Sequence, residues 1–337
     1  MSFKRLDPED LVVSAESITQ AAWEGGTPTL TSVYTSSTQV DANTGNYYYN
    51  LYKDDPTSNA SASVQFAIAY ADINGSGSND FNKLVPGVGA SRVIYGQYRT
   101  LVLGDENSQF VFGDFTGSYF HAISVERSVY KEKLFTGFNL VLSGSSGMNF
   151  LHLTDNSSDT NVVSFNDAGR VYQVVSGSNG AAYTGNGYTT TSGSYGLFLP
   201  DIGTILLNSE ALSGSAAGAI DMQVSRSSDS RGYNPKYLYN TIKDGGSFTL
   251  RSEETLTSDF VFVRARNSEF NYTENPSFIS GSTGEILYPV LVDSPQTYIS
   301  SVGLYNDNNE LVAVAKLSKP LQKDFTKELL LRVKLDF

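Results

Sequence analysis

Val64-Gln65-Phe66-Ala67-Ile68-Ala69-Tyr70 alternates along its length, and a period of two sets Phe66, Ile68 and Tyr70 on one side of an extended chain. The stretch reads as a strand. Working outward, the same reading covers Val93–Leu103 (VIYGQYRTLVL), Gln109–Phe112, Phe120–Val125, Phe138–Leu142, Phe150–Leu153, Asn161–Phe165 and Val171–Val175. Clusters of Gly, Ser, Asn and Asp separate these runs, as in Ser143-Gly144-Ser145-Ser146-Gly147 and Thr154–Thr160. Many short strands with turn signals between them predict a mainly β fold, an antiparallel β-sandwich or barrel-like body with one or two short helices. One helix is expected over Asn234–Lys243, which offers a cap residue, Pro235 at the first helical position and Gly245-Gly246 just past the end. A second is expected over Glu126–Phe135, with lysines in its last turn.

The C-terminal part is the most explicit. Tyr298–Tyr305 and Glu310–Lys316 flank Asn306-Asp307-Asn308-Asn309, whose Asn and Asp tolerate left-handed backbone. After Pro320 a last strand should set Leu331, Val333, Leu335 and Phe337 on one face, with Arg332, Lys334 and Asp336 on the other. Residues 1–57 mix an acidic start, Gly25-Gly26 and a Ser/Thr tract, and are expected to form an N-terminal arm or peripheral layer. The β-rich core would then span 58–337, divisible into 58–232 and 233–337. No repeat with a period of about 20–50 residues is visible.

The 337 residues hold 35 acidic and 23 basic side chains, two histidines and no cysteine. A net charge of -12 speaks against nucleic acid as the partner, because neutralising phosphates needs clustered Lys and Arg. Zero cysteine excludes disulfide scaffolds, thiolate zinc sites and cysteine nucleophiles. No run approaches the roughly 18 apolar residues of a membrane span, and Met1–Asp7 lacks an apolar signal core. The expectation is a soluble chain made without a cleaved signal, with no membrane and no nucleic-acid partner.

Catalytic constellations are sparse. His121 and His152 each fall inside a predicted strand, where a satisfied or exposed histidine is the default. Phosphate-loop, dinucleotide and H-E-x-x-H motifs are missing, and the Gly-Ser turns lack the nucleophile-elbow pattern. Asp105-Glu106, Asp201 and Glu253-Glu254 are carboxylates that glycoside hydrolysis could use, but the sequence does not pair them. Asp72-Ile73-Asn74-Gly75-Ser76-Gly77-Ser78-Asn79-Asp80 sets Asp72, Asn74, Ser76 and Asp80 at calcium-loop spacing with Gly77 at position six. Position twelve is Lys83 where a bidentate Glu is wanted, so a polar hairpin tip is the favoured reading and no metal or cofactor is expected.

Aromatic residues are more informative, with 21 Tyr and 19 Phe against one Trp. Tyrosine buries a flat body while keeping a polar tip, which suits contact surfaces. Tyr47, Tyr48 and Tyr49 cannot all point one way on a strand, so one of them is expected at a surface. Arg266, Phe270 and Tyr272 offer the same mixture beside the strand Asp259–Val263. These six are the expected interface residues.

Several strings resemble virion structural proteins of contractile-tailed phages, particularly those infecting cyanobacteria. They are Phe3–Ser17 (FKRLDPEDLVVSAES), Ile94–Asp105 (IYGQYRTLVLGD), Ser194–Asn208 (SYGLFLPDIGTILLN), Val263–Phe278 (VRARNSEFNYTENPSF) and the final Tyr298–Phe337. The likeness is scattered over essentially the whole chain, and the last segment is the most specific. The resemblance implies a non-enzymatic tail component, in first place a baseplate protein, that assembles in the host cytoplasm, resides in the virion and binds other tail proteins as an oligomer. It carries over no catalytic residue. The alternatives are a neck or fibre-attachment protein and a receptor- or glycan-binding module at the fibre tip; a polysaccharide-degrading enzyme is suggested by the acidic, β-rich composition alone.

Overall fold

The computed structural model describes residues 4–36, 48–75, 90–144, 150–160, 163–183, 193–214, 220, 222, 224, 233–273 and 275–336. The fold is mainly β, and every strand pairing of known register is antiparallel. The chain divides into two compact units, Ile18–Glu254 and a second built from Met1–Ser17 with Thr255–Phe337.

A twelve-stranded sheet organises the first unit. Its path runs Thr29–Leu30, Ser247–Thr249, Asn139–Ser143, Phe150–Asp155, Gly169–Ser178, Gly196–Leu199, Thr204–Leu207, Tyr119–Val125, Val64–Asp72 and Tyr48–Tyr52, while Ser164–Asn166 and Ala181–Ala182 add to Gly169–Ser178. Alternate side chains feed two apolar clusters. Phe66, Ile68, Ile123 and Val125 join Trp23, Leu238, Ile242 and Phe248 in one. Phe120, Ala122, Leu197 and Leu206 join Tyr95, Val102 and Phe110 in the other. With both faces covered, Gly196–Leu199 and Thr204–Leu207 are buried at every position, so they read as unbroken apolar runs rather than alternating ones.

Val93–Leu103 is not a strand but most of a helix, Ser91–Leu103, closed by Gly104 in the left-handed region. Its β-branched and aromatic residues favour a strand locally, yet Ser91, Tyr95 and Val102 are buried and Ile94 and Tyr98 pack beside them, a spacing near 3.6. Packing of that stripe against the sheet overrides propensity. Asn234–Lys243 is helical as expected, within Tyr233–Gly245, and Gly246 follows at φ +71°. The expected helix over Glu126–Phe135 shrinks to Arg127–Tyr130, because Lys131 turns to φ 60° and Lys133–Leu134 joins a strand.

The described parts of residues 1–57 pair with or pack into the rest of the chain. Leu11–Ala21 pairs with Arg251–Ala265, Trp23 is 1% exposed, and Tyr49 and Leu51 are fully buried in the large sheet. Trp23 packs against Phe66 and Phe248 with ring centroids 5.7 and 5.1 Å away, and its indole N–H donates to the Phe248 carbonyl at 3.0 Å. The division at 58 is therefore replaced by one that joins the first residues to the last.

Arg251–Ala265 lies between Leu11–Ala21 and Leu329–Asp336 in a smaller sheet. The last strand alternates as read from the sequence: Leu331 and Val333 are buried, while Arg332, Lys334 and Asp336 are exposed; Phe337 lies outside the described residues. Gln296–Tyr305 and Leu311–Asp324 form a hairpin of their own. Leu311–Asp324 continues through Pro320 instead of stopping there, because the register jumps from Ile299↔Leu321 to Ser301↔Lys316 and leaves Pro320 opposite no partner.

Candidate assembly surface

An alternating strand normally hides one face. In the second unit it often does not. The apolar side chains that this unit buries, among the described residues, are Val261, Ala265, Leu331 and Val333. Against them stand Leu11, Val12 and Val13 on the first strand, Leu287, Tyr288, Val290 and Val292 before the hairpin, and Tyr298, Leu311, Val312 and Val314 on it, all exposed. A two-stranded ribbon is marginal in water, and contiguous exposed apolar side chains mark contact sites. The large apolar side chains that lie exposed belong mostly to this unit.

The base of the hairpin is held firmly. Lys323 is fully buried, and its ammonium donates to Asn271 Oδ1 at 2.7 Å and to the carbonyls of Asp324 and Asn267 at 2.9 and 3.0 Å. Thr297 Oγ1 donates to the Phe270 carbonyl at 2.6 Å. Phe270 sits at φ 55°, a strained value for a residue other than glycine. Glu269 accepts the Arg266 N–H at 2.9 Å and pairs with Lys4 at 3.5 Å; the backbone hydrogen bond is the main cause that holds its pKa below the usual value.

The expected interface residues scatter. Arg266, Phe270 and Tyr272 share the loop tied to the hairpin base, and Tyr272 is 67% exposed while Phe270 is half-buried. Tyr48 is exposed on its strand, but Tyr49 is core, its ring stacked on Tyr239 at 6.2 Å, so it is withdrawn as a contact residue. Tyr47 lies outside the described residues. Leu287, Val290, Val292, Val312 and Val314 were missed as surface residues because an apolar residue carries no sequence mark of being left uncovered.

His121, Asp72, Asp201 and Glu253 each meet partners within the first unit. His121 is wholly buried; Nε2 lies 3.1 Å from the Asn234 carbonyl and must donate to it, so Nδ1 accepts the Ser209 hydroxyl at 2.6 Å. Burial pushes its pKa down to about 4. His152 is exposed on Phe150–Asp155. Asp201 and Glu253 do converge, at 2.7 and 3.7 Å from the Arg170 guanidinium. Partial burial raises the Asp201 carboxyl, but hydrogen bonds and charge from Arg170 outweigh it and leave the pKa below the usual value, the wrong direction for a general acid. Asp72 is buried, with Oδ2 accepting the Tyr70 hydroxyl and Oδ1 the Asn74 N–H, both at 2.9 Å. It anchors a turn, while Ser76 and Asp80 lie outside the described residues. Among the described residues no cluster of His, Asp and Glu is arranged to hold a metal, and no helix is long and apolar enough to cross a membrane.

The first unit also carries an open groove of about 540 Å³ lined by Thr29, Ser32, Tyr34, Lys53, Asp54 and Asn59 among others. No protein-family model, curated protein or solved structure matches this chain.

Proposed function

We propose that this chain is a non-enzymatic structural subunit of a contractile phage tail, placed in the baseplate, that works by binding its neighbours in the virion. One observation carries the assembly part: the unit containing the hairpin exposes a run of aliphatic and tyrosine side chains and buries very few. Such a surface is costly in an isolated protein and useful in one that is covered on assembly. The tail and the baseplate rest on the resemblance of the N-terminal and C-terminal strings. The reading asks for no catalysis, and His121 sealed in the core and Asp201 held ionised by Arg170 agree with that.

Mass spectrometry of purified particles, with immunogold labelling against this chain, tests the proposal. Peptides of this chain in the particles and gold at the distal end of the tail support it; gold at the head–tail junction would move the protein to the neck. Particles that lack its peptides would refute it.

A second reading is favoured by the groove. Hydroxyls, Asp54, Asn59 and the partly exposed Tyr34 ring are groups that bind sugars, which makes a glycan-binding module at the fibre tip the alternative. Binding on a glycan array that is lost in Tyr34→Ala would favour it.

A further inference from the structure

The twelve-stranded path of the first unit runs from Thr29–Leu30 to Tyr48–Tyr52, and its two ends return to one another. Tyr34, just past Leu30, makes a bridge to Tyr52: its N–H donates to the Tyr52 carbonyl at 2.9 Å, and its carbonyl accepts the Tyr52 N–H at 2.8 Å. The open groove of about 540 Å³ lies at this seam, its walls drawn from residues between 27 and 34 and between 53 and 59. Small-molecule sites commonly fall in the range of about 300–1,000 Å³.

The lining is polar and already positioned. Asp55 Oδ1 accepts the N–H and the hydroxyl of Thr57 at 2.9 and 2.7 Å, and the hydroxyl bond is the main cause that holds its pKa below the usual carboxylate value. Asn59 Oδ1 accepts the Ser61 N–H at 3.0 Å, which leaves the Asn59 amide N–H groups to donate outward. Asp54 is exposed and pairs with no base among the described residues. Lys53, the one cation among the described lining residues, donates to the Glu24 carbonyl at 2.8 Å. Tyr34 adds a side chain that is 39% exposed.

This set of groups selects a chemistry. A sugar hydroxyl both donates and accepts, so neighbouring hydroxyls can give to Asp54 while taking from Asn59. The C–H face of a pyranose is apolar and suits the flat body of a tyrosine. Two carboxylates against one engaged ammonium disfavour an acidic sugar. We propose that the groove holds a neutral saccharide, with Tyr34 against one ring, Asp54 accepting from its hydroxyls and Asn59 donating to them. The inference rests on the second reading above, that this groove binds glycan, and adds the class of sugar and the residues that select it. Because the groove is open, a short saccharide binds with a dissociation constant on the order of millimolar.

Saturation-transfer NMR of the full chain with maltose, lactose and chitobiose, and with glucuronic acid as the acidic probe, tests it. The neutral sugars should receive saturation and glucuronic acid should not. Tyr34→Ala and Asp54→Ala should each weaken binding about tenfold, while Tyr34→Phe, which keeps the ring and the backbone bridge, binds as wild type does. Asp54→Lys should lose the neutral sugars and take up glucuronic acid, a reversal that misfolding cannot imitate. Neutral sugars held as tightly by Tyr34→Ala and Asp54→Ala as by wild type would overturn the proposal by placing their site elsewhere. Saturation of glucuronic acid alone by wild type would overturn it and leave the glycan reading standing, whereas no saturation of any sugar would overturn both.

Discussion

Replacing His121 with glutamine should flatten the acid limb of the stability curve. The imidazole is neutral in the folded protein, donating to Asn234 and accepting from Ser209, and burial holds its pKa at about 4 against 6.5 for the free side chain. Unfolding releases it into water, where it binds a proton at any pH below that ordinary value. The unfolded state therefore binds more protons between those two values, and stability rises with pH across that window. The contribution is complete above the ordinary value and is lost as pH falls toward the folded one. A tenfold difference in proton affinity between the folded and unfolded states corresponds to about 1.4 kcal/mol, so the full effect is about 3 kcal/mol, of which about 2 kcal/mol is lost by about pH 5. Urea unfolding of wild type and His121→Gln near neutrality and near pH 5 isolates the contribution, because carboxylates such as Asp201 titrate equally in both. Wild type should lose about 2 kcal/mol more than the variant over that interval. Equal losses would mean that the ring is hydrated or charged in the folded protein, and the buried tautomer derived from its two hydrogen bonds would be wrong.

Two further outcomes concern packing. Trp23→Ala should cost about 3–5 kcal/mol in urea unfolding, since it empties the space between Phe66 and Phe248 and leaves the Phe248 carbonyl without its donor; a cost under about 1 kcal/mol would restore the view of the early residues as a dispensable layer. At the hairpin base, Asn271→Leu should destabilise more than Lys323→Met, because the first strands a buried ammonium while the second removes the charge together with its need for acceptors. Thermal melts in the reverse order would show that the ammonium reaches water.

The β character was legible because a period of two survives wherever one face is buried, as in Leu331 and Val333 against Arg332 and Lys334. The helix Ser91–Leu103 was not, since its valine, isoleucine and tyrosine content favours a strand and only the sheet beneath reveals which residues are covered. Trp23 was misplaced for a related reason. Its segment makes an isolated bridge to Thr27 and then a two-residue strand, too short for any periodicity, so its place in the core depends on residues more than 200 positions later, such as Phe248. The hairpin at Tyr298–Tyr305 and Glu310–Lys316 was legible from its polar turn, and the loop with Arg266, Phe270 and Tyr272 was singled out for its aromatic residues. The sequence could not say that Val312 and Val314 stay exposed, because an aliphatic residue in a strand looks the same whether or not something lies over it.

The position of Arg251–Ala265 between Leu11–Ala21 and Leu329–Asp336 has a consequence during synthesis. A ribosome adding about 5–20 residues per second needs on the order of 10–50 s to travel from the first of these strands to the middle one. Throughout that time Leu11, Val12 and Val13 have no strand to pair with. The large sheet is itself unfinished, because Ser247–Thr249 sits near one end of it. A nascent chain stalled before residue 251 would thus carry an unmatched, aliphatic leading segment, a species that chaperones bind and proteases clear. The order of strands in space makes synthesis of Arg251–Ala265, rather than emergence of Leu11–Ala21 itself, the step that gives the earlier strand its partner.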